Sequence, residues 1–346
     1  MKKQIHLHIS ILFFALVLTI IFGNMLETPS EKILEFFYGK LYKISKFDGI
    51  SYDANNMPLI DYKSFKGIHI GRVYNPLVVG WKTNEIIDKK IITRKDTLTI
   101  LNFADNLVLQ DYGFEENTGL LKHNYGWPRC NIIDYYYSCL SQGRALQVML
   151  AAFKLSGDSI YLANGKRLVM GFFIDIENDG LREVLDDSSW WYEEFASKSV
   201  PVPFVLNGMI SSVLCLNEFY SVTGDTNAWI LSKNGFNAIV KKLPQFDRNG
   251  YAFYDLLGNV CTPLYEKYTI SLLKDLQRIK VDSTLDFYQT KWEEYQNNTI
   301  FIKKVLDQRS RRSLGMIAVQ FISVFAIVEL FGMLFFYIFY KRRKRI

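Results

Sequence analysis

The residues best suited to chemistry lie in one stretch, Ser189–Gly208, which reads SWWYEEFASKSVPVPFVLNG. Trp190, Trp191 and Tyr192 run into the adjacent carboxylates Glu193 and Glu194, and Phe195 follows. A Pro-x-Pro breaker and then Leu206-Asn207-Gly208 open a helical run. Flat aromatic rings beside acids, followed by a segment that proline keeps out of helix, describe a binding loop set into a helical scaffold. Such a loop suits a ring-shaped polar ligand, a sugar for example. The same residues also read as a buried aromatic plug with two solvated glutamates, and the stretch alone does not decide between the two.

The scaffold around it is helical by periodicity. Thr93 to Asp111 repeats apolar residues at intervals of three and four, and Cys139–Leu155, Ile160–Ile174 and Leu206–Tyr220 do the same. Two of these segments share their punctuation. Gln142-Gly143 leads a helix ending at Ser156-Gly157-Asp158, and Asn207-Gly208 leads one ending at Thr223-Gly224-Asp225, about 66 residues further on. A repeated helical hairpin with glycine after one helix and aspartate before the next predicts an α/α toroid. Residues 50–80 read as extended and turn-rich, and 244–260 as a hairpin around Arg248-Asn249-Gly250. Tyr265–Ile279 and Asp282–Tyr295 supply the last helices. The fold class is therefore mainly α, an incomplete toroid of hairpins with short β elements and apolar terminal helices.

Both ends of the chain are apolar. Residues 5–23 behind Lys2-Lys3 read as an anchor or a signal peptide, and Leu314–Tyr340 exceeds the ~20 residues that a span requires. Lys341–Arg345 beyond it is a cytoplasmic stop by the positive-inside rule. Placing both ends in the cytoplasm leaves residues 25–308 outside. Six segments follow: an N-terminal anchor or signal peptide at 1–24, an extended segment at 25–92 packing on the toroid, the toroid at 93–300, a basic linker at 301–313, the span at 314–340 and a basic tail at 341–346.

Composition narrows the partners. The 346 residues are 49% hydrophobic and 15% aromatic, with 21 Tyr and 26 Phe, enough for a large core and an aromatic-lined cleft. The net charge of +6 does not point to nucleic acid. Ten of the 41 Lys and Arg flank the apolar ends, and the remaining 31 face 35 Asp and Glu. The basic flanks instead point to a lipid bilayer. Cys130, Cys139, Cys215 and Cys261 form no C-x-x-C pair, and with only four histidines no structural zinc site is expected. Disulfides are left open, as is a homodimer.

Several short motifs occur in a fixed order: Asn56-Met-Pro-Leu-Ile-Asp-Tyr62, Tyr74-Asn-Pro76, Ser141-Gln-Gly143 with its hairpin to Asp158, Tyr192-Glu-Glu194, Val205-Leu-Asn-Gly208, Leu243-Pro244 before Phe246-Asp247, and Tyr254-Asp-Leu256. In that order the chain resembles the C-terminal helical domain of the D-glucuronyl C5-epimerases, which convert D-glucuronate to L-iduronate within heparan-type polymers. The resemblance implies a uronic-acid polysaccharide as substrate, no cofactor, and Glu194, Tyr268 and Tyr254 as catalytic residues. Trp191, Tyr192, Glu193, Phe195, Asn207 and Gln142 are the candidate substrate contacts.

The chemistry can be argued without the name. Inverting C5 means removing a proton alpha to a carboxylate and returning one to the other face. The site must offset the resulting charge with hydrogen bonds or a cation, and hold a base and an acid on opposite faces. A carboxylate and a phenol suit these roles when tuned by burial. The sequence departs from the family at Phe195, where a Tyr is usual, at Leu257 in place of an Arg, and at Thr269 and Leu272 in place of His. Arg144, after Gln142-Gly143, is the candidate to replace the missing cation. The competing readings are a glycan-binding relative without turnover and a polysaccharide lyase, which removes the same proton and then eliminates at C4.

Overall fold

In the computed structural model, residues 2–41, 49–65, 68–308 and 311–343 are described. Eleven α-helices occur among them: α1 (Lys2–Leu41), α2 (Pro76–Ile87), α3 (Arg94–Leu107), α4 (Cys139–Ser156), α5 (Ile160–Gly171), α6 (Leu206–Thr223), α7 (Thr226–Lys242), α8 (Pro263–Ile279), α9 (Ser283–Asn298), α10 (Phe301–Gln308) and α11 (Arg311–Arg343). They divide into a terminal unit, residues 1–41 with 294–346, and a central unit, residues 42–293.

In the central unit α2, α4, α6 and α8 pack side by side in that order. Outside them, α3 and α5 lie against α4, and α7 lies against α6. This is the incomplete α/α toroid that the repeat predicts. The two repeated turns are built atom for atom alike. At the end of α4 the Ser156 hydroxyl donates to the Ala152 carbonyl and accepts from the Asp158 amide; at the end of α6 Thr223 does the same with Phe219 and Asp225. Gly157 and Gly224 take φ of 74° and 70°, the left-handed geometry that ends a helix without a Cβ penalty. Asp158 then accepts from the Ile160 amide and Asp225 from that of Ala228, satisfying amides that a helix start leaves unpaired.

The extended reading of residues 50–80 holds as far as residue 74. Ile50–Tyr52, Pro58–Asp61 and Arg72–Tyr74 form an antiparallel sheet with the middle strand at its centre. The next residues begin α2 instead. Asn75 caps it by accepting from the Leu77 amide, and Pro76 occupies the first helical position, where its missing N–H costs nothing. The hairpin around residues 248–250 forms as read, with Asp247–Arg248 paired to Tyr251–Ala252. Asp247 fastens it to α9 by accepting from Trp292 Nε1 (2.9 Å) and pairing with Lys291 (2.7 Å). All four cysteines are free thiols, and three are buried.

In the terminal unit α1 is one continuous helix through Pro29, where the sequence suggests an anchor or signal peptide to residue 24 and an extended segment from residue 25. Gln320 donates to the Gly23 carbonyl and Gly315 meets Leu34, so α1 and α11 run antiparallel. Ile9–Phe37 and Leu314–Leu334 are each long and apolar enough to cross a bilayer. Glu27 and Lys304 form a buried ion pair at 3.3 Å, and Gln296 supplies a second acceptor to the ammonium. Unpaired, either charge would be costly at that depth.

Candidate active site

The aromatic–acidic stretch begins as a strand. Trp190–Tyr192 pairs with Arg182–Val184, and the chain then turns along the start of α6. The alternation of a strand sends its side chains to opposite faces. Trp191 and Tyr192 are both fully buried. Trp191 stacks on Phe246 at 5.8 Å, and Tyr192 donates its hydroxyl to the Leu231 carbonyl at 2.8 Å. The structure therefore corrects the expectation that these two rings contact substrate: they are core. The two glutamates are not solvated either, with exposures of 0% for Glu193 and 8% for Glu194.

Their environments differ. Glu193 is wrapped by backbone amides, accepting from Glu194 (2.8 Å), Phe195 (3.1 Å) and Val205 (3.3 Å). Its own carbonyl accepts from the Cys139 amide at the head of α4. Burial lifts its carboxyl to about 7, with the amides opposing the rise. Glu193 is thus a knot joining α4, the strand and α6, rather than the substrate contact expected of it. Glu194 has no such shell, and its Oε2 is buried without a hydrogen-bond partner. Burial first, and the neighbouring charge of Glu193 second, raise it to about 8. A carboxyl of that kind, with an oxygen left open, can exchange a proton with a ligand near neutral pH.

The first two turns of α6 gather the remaining pieces. Gly208 is where Glu194 lies against the helix: a Cβ there would stand 2.5 Å from Glu194 Oε2 and 2.8 Å from its Cβ. Asn207, beside it, is 4% exposed and keeps its Oδ1 without a partner. The Leu206 amide donates to the Tyr254 carbonyl at 3.2 Å, and the Leu256 amide to that of Pro203 at 2.9 Å, so the Tyr-Asp-Leu loop is clipped to the helix start. Asp255 holds that loop in shape by accepting from the Leu257 and Asn259 amides. The Tyr254 hydroxyl is raised well above its ordinary value by burial first and by the charge of Glu194 next. One turn beyond Gly208, Ser211 meets the Tyr268 hydroxyl at 3.4 Å from α8. Residues three apart share a helix face, so Glu194 and Tyr268 meet α6 on one side, roughly a turn apart.

Sequence reasoning omitted Tyr265, one turn before Tyr268 on α8, whose ring stands edge-on to Tyr254 at 5.6 Å. It also passed over the only buried histidine among the described residues. His123 bridges Tyr125 and Ser141 at 3.0 Å each and stacks on Tyr136 at 4.4 Å. Burial holds its ring down at about 3, so it is neutral. A histidine two residues before a tyrosine was the available signal.

Two further expectations are corrected. Gln142 is fully buried and wholly engaged: Oε1 accepts from Leu121, and Nε2 donates to the carbonyls of Gly119 and Leu168. Arg144 donates to Gln147 at 2.6 Å, and Gln147 reaches Glu218. Glu218 lies ten residues along α6 from Gly208, about 15 Å at helical rise. Arg144 therefore does not replace the cation missing at exposed Leu257. Phe195 is half-buried, stacked on Trp127 at 6.0 Å. Among the described residues no group of three or more His, Cys, Asp or Glu is arranged to hold a metal ion.

Comparison with known proteins converges on the same segment. The family described as D-glucuronyl C5-epimerase C-terminus matches residues 121–294. The uncharacterized protein MJ1128 of Methanocaldococcus jannaschii is 29% identical over 177 residues, 50% of this chain and 56% of that protein. The D-glucuronyl C5-epimerase of Caenorhabditis elegans is 27% identical over 179 residues, 46% of this chain and 29% of that protein. The matches thus span less than two thirds of either relative. Among solved structures, cellobiose 2-epimerase from Bacillus thermoamylovorans B4167 is similar with a TM-score of 0.43 and 12% identity, over 84% of this chain and 86% of that one. The matched region runs from the strand before α4 into α9 and contains Glu194, Tyr254 and Tyr268; on it, the chain belongs to the D-glucuronyl C5-epimerase C-terminus family.

Proposed function

We propose that this chain is a polysaccharide uronosyl C5-epimerase of the D-glucuronate to L-iduronate type. One observation carries the reading: Glu194 is a buried carboxyl with an unpartnered oxygen, and it meets α6 within a turn of the contact made by a phenol. Glu194, ionised, takes the C5 proton. The C–H electron pair moves into the sugar carboxylate, and a tyrosine O–H delivers a proton to the opposite face. The tyrosinate and the protonated glutamate then exchange with water, which restores both. A base near 8 is matched to neutral pH, and the Tyr254 phenol, raised by burial, stays protonated as a donor. Tyr268 and Tyr254 are the assigned phenols, with Glu194 as the base. Asn207 and the aromatic face of Phe195 are the substrate contacts that this reading retains.

Incubating the full chain with a glucuronate polymer in D₂O tests it. Deuterium at C5 in an intact polymer supports epimerisation, an unsaturated product indicates a lyase, and neither outcome leaves glycan binding without turnover. That last reading draws support from Phe195 and Leu257, which supply no polar group to the site. Tyr268→Phe and Tyr254→Phe should each lower exchange at least about a hundredfold, the usual scale for losing a general acid.

The same proposal includes the membrane. The antiparallel α1 and α11 bring Lys2-Lys3 and Lys341–Arg343 to one end of the pair, which the positive-inside rule assigns to the cytoplasm. Residues 42–293 then act on polysaccharide outside it. Protease treatment of intact cells that leaves the central unit undigested would overturn this topology.

A further inference from the structure

Tyr268, one of the two phenols assigned to proton delivery, must keep its O–H aimed at C5 and then carry a negative charge until water returns a proton. Its hydroxyl is on the open side of α8, with the residue 38% exposed. Two neighbours on the same helix do not help it. Thr269 is buried and turns its hydroxyl back to the Tyr265 carbonyl at 2.9 Å, and Leu272 is apolar and buried.

The partner comes from α6. Ser211 is 3% exposed, and its hydroxyl lies 3.4 Å from the Tyr268 oxygen. The direction of that side chain is informative. A serine or threonine within a helix commonly returns its hydroxyl to the carbonyl four residues back. On α6 Ser212, Ser221 and Thr223 all do so, at 2.8, 2.8 and 2.7 Å. Ser211 has the Asn207 carbonyl four residues back, yet it crosses to α8 instead.

We propose that Ser211 is a positioning residue for the proton transfer: it donates its O–H to the Tyr268 oxygen, which leaves the phenol hydrogen to point at the substrate and steadies the tyrosinate once that proton has gone. This rests on the epimerase reading of the site. No bond within Ser211 breaks. The Tyr268 O–H breaks, its proton joins C5, and the phenol oxygen keeps the electron pair, so a neutral hydrogen bond becomes a charge-assisted one. An interaction that strengthens only as the reaction proceeds acts on the rate rather than on substrate binding. The 3.4 Å separation is long for two hydroxyls, and catalytic hydrogen bonds of that length shorten when substrate arrives.

The test measures C5 exchange on a glucuronate polymer in D₂O by the full chain in detergent. Ser211→Ala should lower kcat about tenfold to a hundredfold while KM stays within about twofold. Ser211→Thr, which restores the hydroxyl, should recover most of that loss. In a Tyr268→Phe chain, where no phenol oxygen remains to be held, Ser211→Ala should cost nothing further. A second measurement needs no turnover: N-acetylimidazole should acetylate the Tyr268 hydroxyl several-fold faster in Ser211→Ala than in the wild type, read by peptide mass spectrometry. A Ser211→Ala rate within about twofold of wild type, losses that add in the double variant, or unchanged acetylation overturns the role of Ser211 and leaves the epimerase reading standing. A wild-type chain without exchange overturns that reading and the role of Ser211 in it; faster acetylation of Ser211→Ala then shows that the contact exists and that the reaction is a different one.

Discussion

Replacing Glu194 by Gln tests both the base assignment and the physics behind it. The variant should lose C5 exchange, yet gain stability as the pH rises. The sign follows from burial. The folded chain holds the Glu194 proton until about 8, against an ordinary value of 4.5, so the native state binds one more proton than the unfolded state between those values. The group's contribution is fully present below 4.5 and is lost as pH climbs through about 8. One proton corresponds to ~1.4 kcal/mol per pH unit, so the whole interval is on the order of 5 kcal/mol. For a unit of this size a kcal/mol moves Tm by roughly 2–4 °C. Gln is close in shape to the protonated acid, so near pH 5 the two proteins should melt together. By pH 9 the variant should melt roughly 10 °C higher. Thermal unfolding of both chains in one detergent, followed by circular dichroism across that pH range, reads the difference directly. Parallel curves, with an offset that stays constant from pH 5 to 9, would refute the argument that Glu194 is the carboxyl held protonated by burial.

Other outcomes follow from the same geometry. Wild-type exchange should rise with pH between 6 and 8 as Glu194 ionises, and a rate already level at pH 6 would contradict a base near 8. Gly208→Ala places a methyl 2.5 Å from Glu194 Oε2, so it should displace the carboxyl, cost about 1–3 kcal/mol on thermal unfolding and cut exchange more than tenfold. Gln142→Ala strands the Leu121 amide and the carbonyls of Gly119 and Leu168, and calorimetry should show a loss of ~2–5 kcal/mol. Arg144→Ala should leave the exchange rate within about twofold, since its hydrogen bond runs through Gln147 toward Glu218 rather than Glu194.

The sequence by itself determined what depends on neighbours along the chain. Helical periodicity from Arg94 to Asn298, the Ser/Thr-Gly-Asp turns and the hairpin at residues 247–252 are local matters of spacing, φ preference and capping, and all appear where the residues ask for them. The signal for α2 was also local, Asn75-Pro76, although extended residues just before it masked the change of geometry. The order of motifs was enough to suggest the family. Only the tertiary structure decided which way each side chain faces. Trp191, Tyr192, Glu193 and Glu194 are consecutive, yet the first two complete the core, the third is consumed by backbone amides, and only Glu194 is left with an unsatisfied oxygen. Gln142 and Arg144 are two residues apart on one helix, yet Gln142 is committed to partners brought in from distant segments while Arg144 bonds Gln147 on the same helix. Burial and hydrogen-bond satisfaction are properties of the space around a residue, set by chain that arrives from far along the sequence, and no local pattern encodes them.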